Sequence, residues 1–357
     1  MGSHRDYVQP LDASQLRYTY TTTPRNVPDA KTLGGTHETI CTDHMVVASW
    51  NAARGWTQSL PWPRRQTPNV PDRPQFSPTS DVCRADFSSK FDPDELEKLI
   101  YALLSVDGPK WLPESRAGDF LYVRPTIIGT DSQLGVAKPT EALLYIIVGY
   151  MARMDTPTGG KRLLTSPDDM VRSWVGGFGY AKVGANYGPS VLATQEAYRQ
   201  GYHQILWLYG PEGYCTEAGG SNFFVVWKRK DGKKELITAP LDDKLILDGV
   251  TRRSCLDLAR ERLRNELDVT ERKFTISEIQ EAAAESRLLE SFAAGTAWFI
   301  TPVSMIHHRG RDINVPTCPN GTPAEITGKL KGWLGDIMYG RVEHEWAREV
   351  PEKELKE

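Results

Sequence analysis

The reading of this chain turns on one stretch, Trp174-Val175-Gly176-Gly177-Phe178-Gly179-Tyr180-Ala181-Lys182-Val183-Gly184-Ala185-Asn186-Tyr187-Gly188-Pro189. It holds a single cation, Lys182, no acid, and a run of glycines on either side. A lysine is ordinarily a solvated surface residue. A charge-poor, glycine-rich setting can instead hold one where burial lowers its pKa, which Schiff-base chemistry requires.

Three further stretches lie downstream. In Thr216-Glu217-Ala218-Gly219-Gly220-Ser221-Asn222-Phe223-Phe224 a carboxylate stands before small residues and an apolar strand. Glu217 is therefore expected to be partly buried, and a buried charge needs a cationic partner; the alternative is a plain turn before a strand. Leu247-Asp248-Gly249-Val250-Thr251-Arg252-Arg253-Ser254 enters a helix through a glycine, and the exposed amides of a helix N-terminus attract phosphate. Ala294-Gly295-Thr296-Ala297 is a small-residue turn with a hydroxyl able to meet a phosphate oxygen. Each has a bland structural reading when taken alone.

Composition narrows the class. The 357 residues are 39% hydrophobic and 25% charged with a formal net charge of −3, which fits a globular protein and gives no concentrated basic face for nucleic acid. Apolar runs such as Ala142 to Gly149 are too short to cross a bilayer, and the start of the chain reads as neither a secretory signal nor a transit peptide. A cytoplasmic location is expected, with a mitochondrial one left open. Cys41, Cys83, Cys215, Cys255 and Cys318 are scattered and no His cluster has metal-ligand spacing, so neither disulfides nor a metal site are expected. Hard chemistry would then come from ordinary side chains or an organic cofactor.

Along the chain, the first forty residues read as an extended polar arm leading to a strand near Met45–Trp50. Pro61 to Pro78 holds six prolines in eighteen residues, which rules out a central strand or a helix interior. An amphipathic helix is expected over Glu95–Leu104 and strands over Leu121–Ile128, Ala142–Gly149, His203–Tyr209, Asn222–Lys228 and Glu235–Ala239. Helices are expected over Arg252–Leu267, over Ser277–Arg287 behind a Ser277 to Gln280 capping box, and over Ile326 to about Arg341. Pro157 and Gly159-Gly160 mark a linker at 151–161 between a small domain, 1–150, and a larger one, 162–357. The fold class is mixed α/β, or α+β.

The four stretches in this order, with Leu121-Tyr122-Val123-Arg124-Pro125, Leu134-Gly135-Val136, Ile205-Leu206-Trp207-Leu208-Tyr209-Gly210 and Cys41-Thr42-Asp43-His44-Met45, closely resemble the branched-chain-amino-acid aminotransferases, in particular fungal members. These are pyridoxal-phosphate enzymes of fold type IV. The resemblance runs from about Phe91 to Gly340 and implies a small α/β domain and a larger domain with a β-barrel-like core. It implies transamination between Leu, Ile or Val and 2-oxoglutarate. It makes Lys182 the catalytic lysine that binds the cofactor and moves the substrate proton, Glu217 the partner of the pyridine nitrogen, and Tyr187 the neighbour of the phenolic oxygen. Leu247 would pack on the ring, and Gly249, Val250, Thr251, Gly295 and Thr296 would hold the phosphate. Tyr122 and Arg124 would line the side-chain pocket, Ala297 would meet the α-carboxylate, and Val136 would close the pocket of a partner copy, which implies a homodimer.

The resemblance breaks between Trp56 and Lys90. Family members carry Phe-Glu-Gly and Asn-Met-x-Arg motifs there, the arginine clamping the phosphate; here the proline-rich stretch stands instead, and the small domain is shortened. Arg73 and Arg84 lack the expected neighbours, so the clamp is carried to neither. This atypical segment, 57–90, keeps a second reading open: a catalytically impaired scaffold, or an aminotransferase for another amino donor.

Overall fold

The computed structural model describes residues 40–41, 46–51, 55–57, 93–111, 120–129, 141–151, 159–296, 299–316 and 324–350. The expected arm, the proline-rich segment and Leu134-Gly135-Val136 lie outside these. The described residues divide into two compact units, the second running from residue 159 to Ala347.

In the first unit β5 (Glu141–Met151) is the central strand. β4 (Phe120–Gly129) runs antiparallel along one edge. β1 (Ile40–Cys41) and β2 (Val46–Asn51) share the other edge, and β3 (Gly55–Thr57) pairs with β2. The period of two in β5 buries Leu144, Ile146 and Val148, and α1 (Pro93–Trp111) sets Leu96, Leu99, Ile100 and Leu103 into the same apolar cluster. Each such side chain stabilises the unit by about 1.5–3 kcal/mol. α1 continues past the expected stop at Leu104 to Trp111, with Gly108 inside it at no positive φ.

In the second unit six strands close into a ring: β6 (Lys161–Thr165), β7 (Gln204–Tyr209), β8 (Tyr214–Ala218), β9 (Ser221–Lys228), β12 (Leu288–Ala294) and β13 (Ile300–His308). β6 is parallel to β7 and to β13, and α2 (Gly184–Arg199) lies in the connection from β6 to β7. β10 (Lys234–Thr238), β11 (Asp268–Glu271) and β14 (Arg311–Asn314) extend the sheet beyond the ring. β9 pairs with β12 along one edge; on the other, Phe224–Lys228 pair with β10 and Ser221 and Asn222 with β8. This strand changes partner at its N-terminal end.

β9 is buried on both faces, which is why it reads as an unbroken apolar run. Phe223, Val225 and Trp227 join one core with Leu163, Leu206 and Ile237. Phe224 and Val226 join the other with residues of α3 (Val250–Arg262) and α5 (Glu325–Met338). α3 ends earlier than expected, at Arg262, with the chain turning at Leu263. The capping box of α4 (Ile276–Ala284) uses Thr275 and Glu278 in place of Ser277 and Gln280. Thr275 is the last residue in extended backbone, so its hydroxyl faces the free Glu278 amide.

Candidate active site

The connection from β6 to α2 carries Lys182, and several contacts fix its course. Gly179 passes so close to the chain opposite that a Cβ there would lie 2.6 Å from the Lys244 carbonyl oxygen. Ser173 Oγ donates to the Leu245 carbonyl at 2.6 Å, and Asn186 Nδ2 donates to the carbonyls of Phe178 and Ala181 at 2.6 and 3.0 Å. Lys182 then precedes α2 and stands with Nζ 3.4 Å from Tyr187 Oη, one helical turn on. The expected burial of Lys182 is not found: the side chain is exposed. Gly184, Ala185 and Gly188 offer almost no side-chain atoms to cover it.

Glu217 occupies β8, opposite Asn222 of β9 across the Gly219-Gly220 turn. Its side chain is 2% exposed and accepts three hydrogen bonds: Arg172 Nε to Oε2 at 2.6 Å, Leu247 N to Oε1 at 2.8 Å and Asn222 Nδ2 to Oε1 at 3.2 Å. The cation that a buried carboxylate demands is thus Arg172, itself 4% exposed. All three partners are donors, so they suit a carboxylate and not a carboxylic acid. Two residues away, burial pushes the Cys215 thiol up, which removes it as a nucleophile near neutral pH.

The carbonyl side of Leu247 is held as well, accepting from Asn222 Nδ2 at 2.9 Å. Gly249 follows at the N-cap of α3, where a Cβ would fall 2.2 Å from Asn222 Oδ1. α3 has no side-chain cap and no acid in its first turn, so the amides around Val250 and Thr251 keep their anion-binding character. Thr251 Oγ1 donates to the Gly295 carbonyl at 3.1 Å, and a Cβ on Gly295 would lie 2.6 Å from Ser221 Oγ. Three sequence-distant turns therefore meet at the N-terminal end of β9.

These contacts join Glu217 with Leu247 and, through Asn222, with Gly249; they join Thr251 with Gly295 and Lys182 with Tyr187. Val250 and Thr296 are exposed at the edges of this cluster. Tyr122 and Arg124 belong to the first unit, on one face of β4, with Arg124 Nη2 donating to Tyr122 Oη at 2.5 Å. Ala297 and Val136 lie outside the described residues. Nothing in the sequence points to Arg172, or to Asn222 as a brace. A buried carboxylate, uncapped helix amides and two glycines whose missing Cβ atoms make room for Asn222 and Ser221 beside those amides suit a flat, phosphorylated, nitrogen-containing ring, so the residues fit the cofactor that the resemblance implies.

The amino-transferase class IV family model matches residues 82–306, and the chain belongs to that family. It is 38% identical to the cytosolic branched-chain-amino-acid aminotransferase of Saccharomyces cerevisiae, over 96% of this chain and 98% of that one. It is 36% identical to the mitochondrial branched-chain-amino-acid aminotransferase of Schizosaccharomyces pombe, over 93% and 84% of the two chains. Among solved structures it is similar to the branched-chain amino acid aminotransferase of Escherichia coli, with 25% identity, a TM-score of 0.54 and 75% and 78% coverage. It shares its fold with the PLP form of the branched-chain amino acid aminotransferase from Thermobaculum terrenum, at 24% identity and a TM-score of 0.53, over 85% and 86%. The relatives include cytosolic and mitochondrial proteins, and no described helix is long and apolar enough to cross a membrane.

Proposed function

We propose that this chain transfers the amino group between leucine, isoleucine or valine and 2-oxoglutarate, with pyridoxal phosphate as cofactor. The observation that carries the reading is Glu217: a buried carboxylate held by three donors beside the Leu247–Thr251 turn. Relatives that align with nearly the whole chain and share one activity support the substrate class. The cofactor, when bound, supplies an electron sink for the substrate Cα carbanion.

The protein's own groups do the rest. Lys182 Nζ would hold the resting cofactor and, when released from it, would carry the proton to and from the substrate Cα, a task for an amine that reaches open space. Glu217 would accept from the ring nitrogen, and Tyr187 Oη would donate to the phenolic oxygen. Leu247 would pack on the ring face, and the Gly249, Val250, Thr251, Gly295 and Thr296 groups would bind the phosphate. Tyr122 and Arg124 recognise the substrate side chain, the arginine serving the second carboxylate of glutamate. Ala297 offers its amide to the α-carboxylate. Val136 completes the pocket of a second copy, so the active species is a homodimer. Trp174, Val175, Phe178, Val191 and Leu192 are each at least 42% exposed, and apolar surface of this kind supports a partner copy.

Purified protein loaded with pyridoxal phosphate should show visible absorbance that borohydride abolishes, with the reduced adduct on Lys182. Lys182→Ala should lose both the adduct and all transamination in a coupled glutamate assay while keeping its far-ultraviolet circular dichroism. An adduct on another lysine, or a colourless protein, would sink the assignment; the colourless result would favour a scaffold.

A further inference from the structure

Arg172 has no part in the chemistry described above, yet it is the most constrained side chain around Glu217. It sits in the irregular connection after β6, ten residues before Lys182, and is 4% exposed. Besides the 2.6 Å contact to Glu217, Nη1 donates to the carbonyls of Gly179 and Leu245 at 3.0 and 2.9 Å. Nη2 is buried with no hydrogen-bond partner. Tying this connection to Leu245 does not call for a guanidinium, since Ser173 Oγ already makes that tie. Burying a full positive charge costs several kcal/mol, so its distinguishing contribution is the charge it brings to Glu217.

A charge in contact with Glu217 bears on where a shared proton would rest. A carboxylate facing a ring nitrogen shares one proton with it, and the proton stays on the partner with the higher affinity. In general a cation in direct contact favours the ionised form of a carboxylate, whereas an isolated buried carboxylate takes a proton and becomes neutral. Among the described residues, Arg172 is the titratable group bonded to Glu217. Asp248, which follows the Leu247 amide bonded to Glu217, accepts at Oδ2 from Arg253 at 2.7 Å, and its Oδ1 is buried with no hydrogen-bond partner. We propose that Arg172 is a positioning residue for transamination: paired with Glu217 Oε2, it prevents Glu217 from taking the proton that the cofactor's ring nitrogen must keep. This inference rests on the assignment of Glu217 in the proposed function.

The test compares Arg172→Met, Arg172→Lys, Glu217→Gln, the double variant Arg172→Met with Glu217→Gln, and Ser173→Ala, each loaded with pyridoxal phosphate. The pH midpoint of the visible band, the infrared band of a protonated carboxyl group and the half-reaction rate with leucine are measured. Arg172→Met should raise the midpoint by about one pH unit or more, because an uncharged ring withdraws less from its link to Lys182. It should gain the protonated-carboxyl band and slow the half-reaction by roughly ten- to a hundredfold. In the Glu217→Gln background the same change should move neither midpoint nor rate further, and the new band should vanish. Arg172→Lys should recover most of the midpoint, and Ser173→Ala should lower the melting temperature without producing the protonated-carboxyl band. If Arg172→Met folds poorly, Arg172→Lys and the double variant still decide the matter. Equal effects of Arg172→Met in both backgrounds, or a midpoint that does not move, would overturn the proposal and leave Arg172 a structural tie. A Glu217→Gln midpoint identical to wild type would instead overturn the assignment of Glu217 itself.

Discussion

Of the buried glutamates on the strands that pair with β9, Glu217 and Glu290 are held in opposite ways. Glu290 of β12 accepts from Ile326 N, Thr327 N and Thr327 Oγ1 at 2.9, 2.8 and 2.7 Å. All three donors are neutral and belong to the first turn of α5, so this carboxylate caps that helix from a distance. Glu217 of β8 draws its donors from three separate parts of the chain, and one of them is a buried cation. Glu290 has one task, to satisfy a helix end. Glu217 is braced from three directions with its charge countered on one oxygen, which suits a group whose ionisation state matters to a ligand.

The two isosteric substitutions should therefore fail differently. Glu217→Gln should lower the half-reaction rate by about a hundredfold or more, since a neutral amide no longer favours a protonated ring nitrogen. Its cost in stability should also be visible, because Arg172 is left buried without a counter-charge. Glu290→Gln should destabilise the protein by about 1–3 kcal/mol, as an amide NH2 meets the donors of Ile326 or Thr327, and should leave kcat nearly unchanged. Denaturant unfolding and single-turnover kinetics on the two variants check this. If Glu290→Gln lost rate as heavily as Glu217→Gln, the contrast drawn between them would fail.

The third brace can be tested without touching either charge. Gly249→Ala puts a Cβ 2.2 Å from Asn222 Oδ1, so Asn222 must turn away and release Glu217 and the Leu247 carbonyl together. Loss of such bonds predicts roughly tenfold weaker pyridoxal phosphate binding and a similar loss of rate. Equilibrium dialysis measures the first. Affinity equal to wild type would mean that Asn222 braces the strand and not the site.

The sequence discloses the two glutamates unequally. Glu217 announces its burial, since it precedes small residues and the apolar run of β9, and that run marks a core strand by itself. Its partner is silent: Arg172 lies forty-five positions upstream between Val171 and Ser173, in no periodic pattern. α2 is hidden for a different reason. Gly184, Gly188 and Pro189 fall in its first six residues, all unfavourable by propensity. Packing overrides them, with Ala193 and Ala197 buried against Ile205 and Trp207. The α4 box lies two residues from its expected place because Ser277-x-x-Gln280 satisfies the same pattern as Thr275-x-x-Glu278, and only the backbone angle chooses between them. β8 escapes a reading by pattern, being short and ending before Gly219, whose φ of +61° turns the chain.

The smallest expected effect separates the two glutamates most cleanly. α5 carries Gly332 and Gly335 in its interior, and a Cβ at either position would meet no atom within 4 Å. Glycine costs a helix interior about 0.5–1 kcal/mol relative to alanine through the entropy of the unfolded chain, so Gly332→Ala and Gly335→Ala should each return about that much. Their benefit should reach whatever Glu290 stabilises, because Glu290 caps this helix, and should not reach the charge at Glu217. In a Glu290→Gln background the pair should recover about 1–2 kcal/mol, much of the loss, by denaturant midpoint. In a Glu217→Gln background they should add the same stability while leaving the half-reaction rate as slow as before. A rise in that rate would show that α5 and the Glu217 site are coupled, and that the two carboxylates do not serve separate ends.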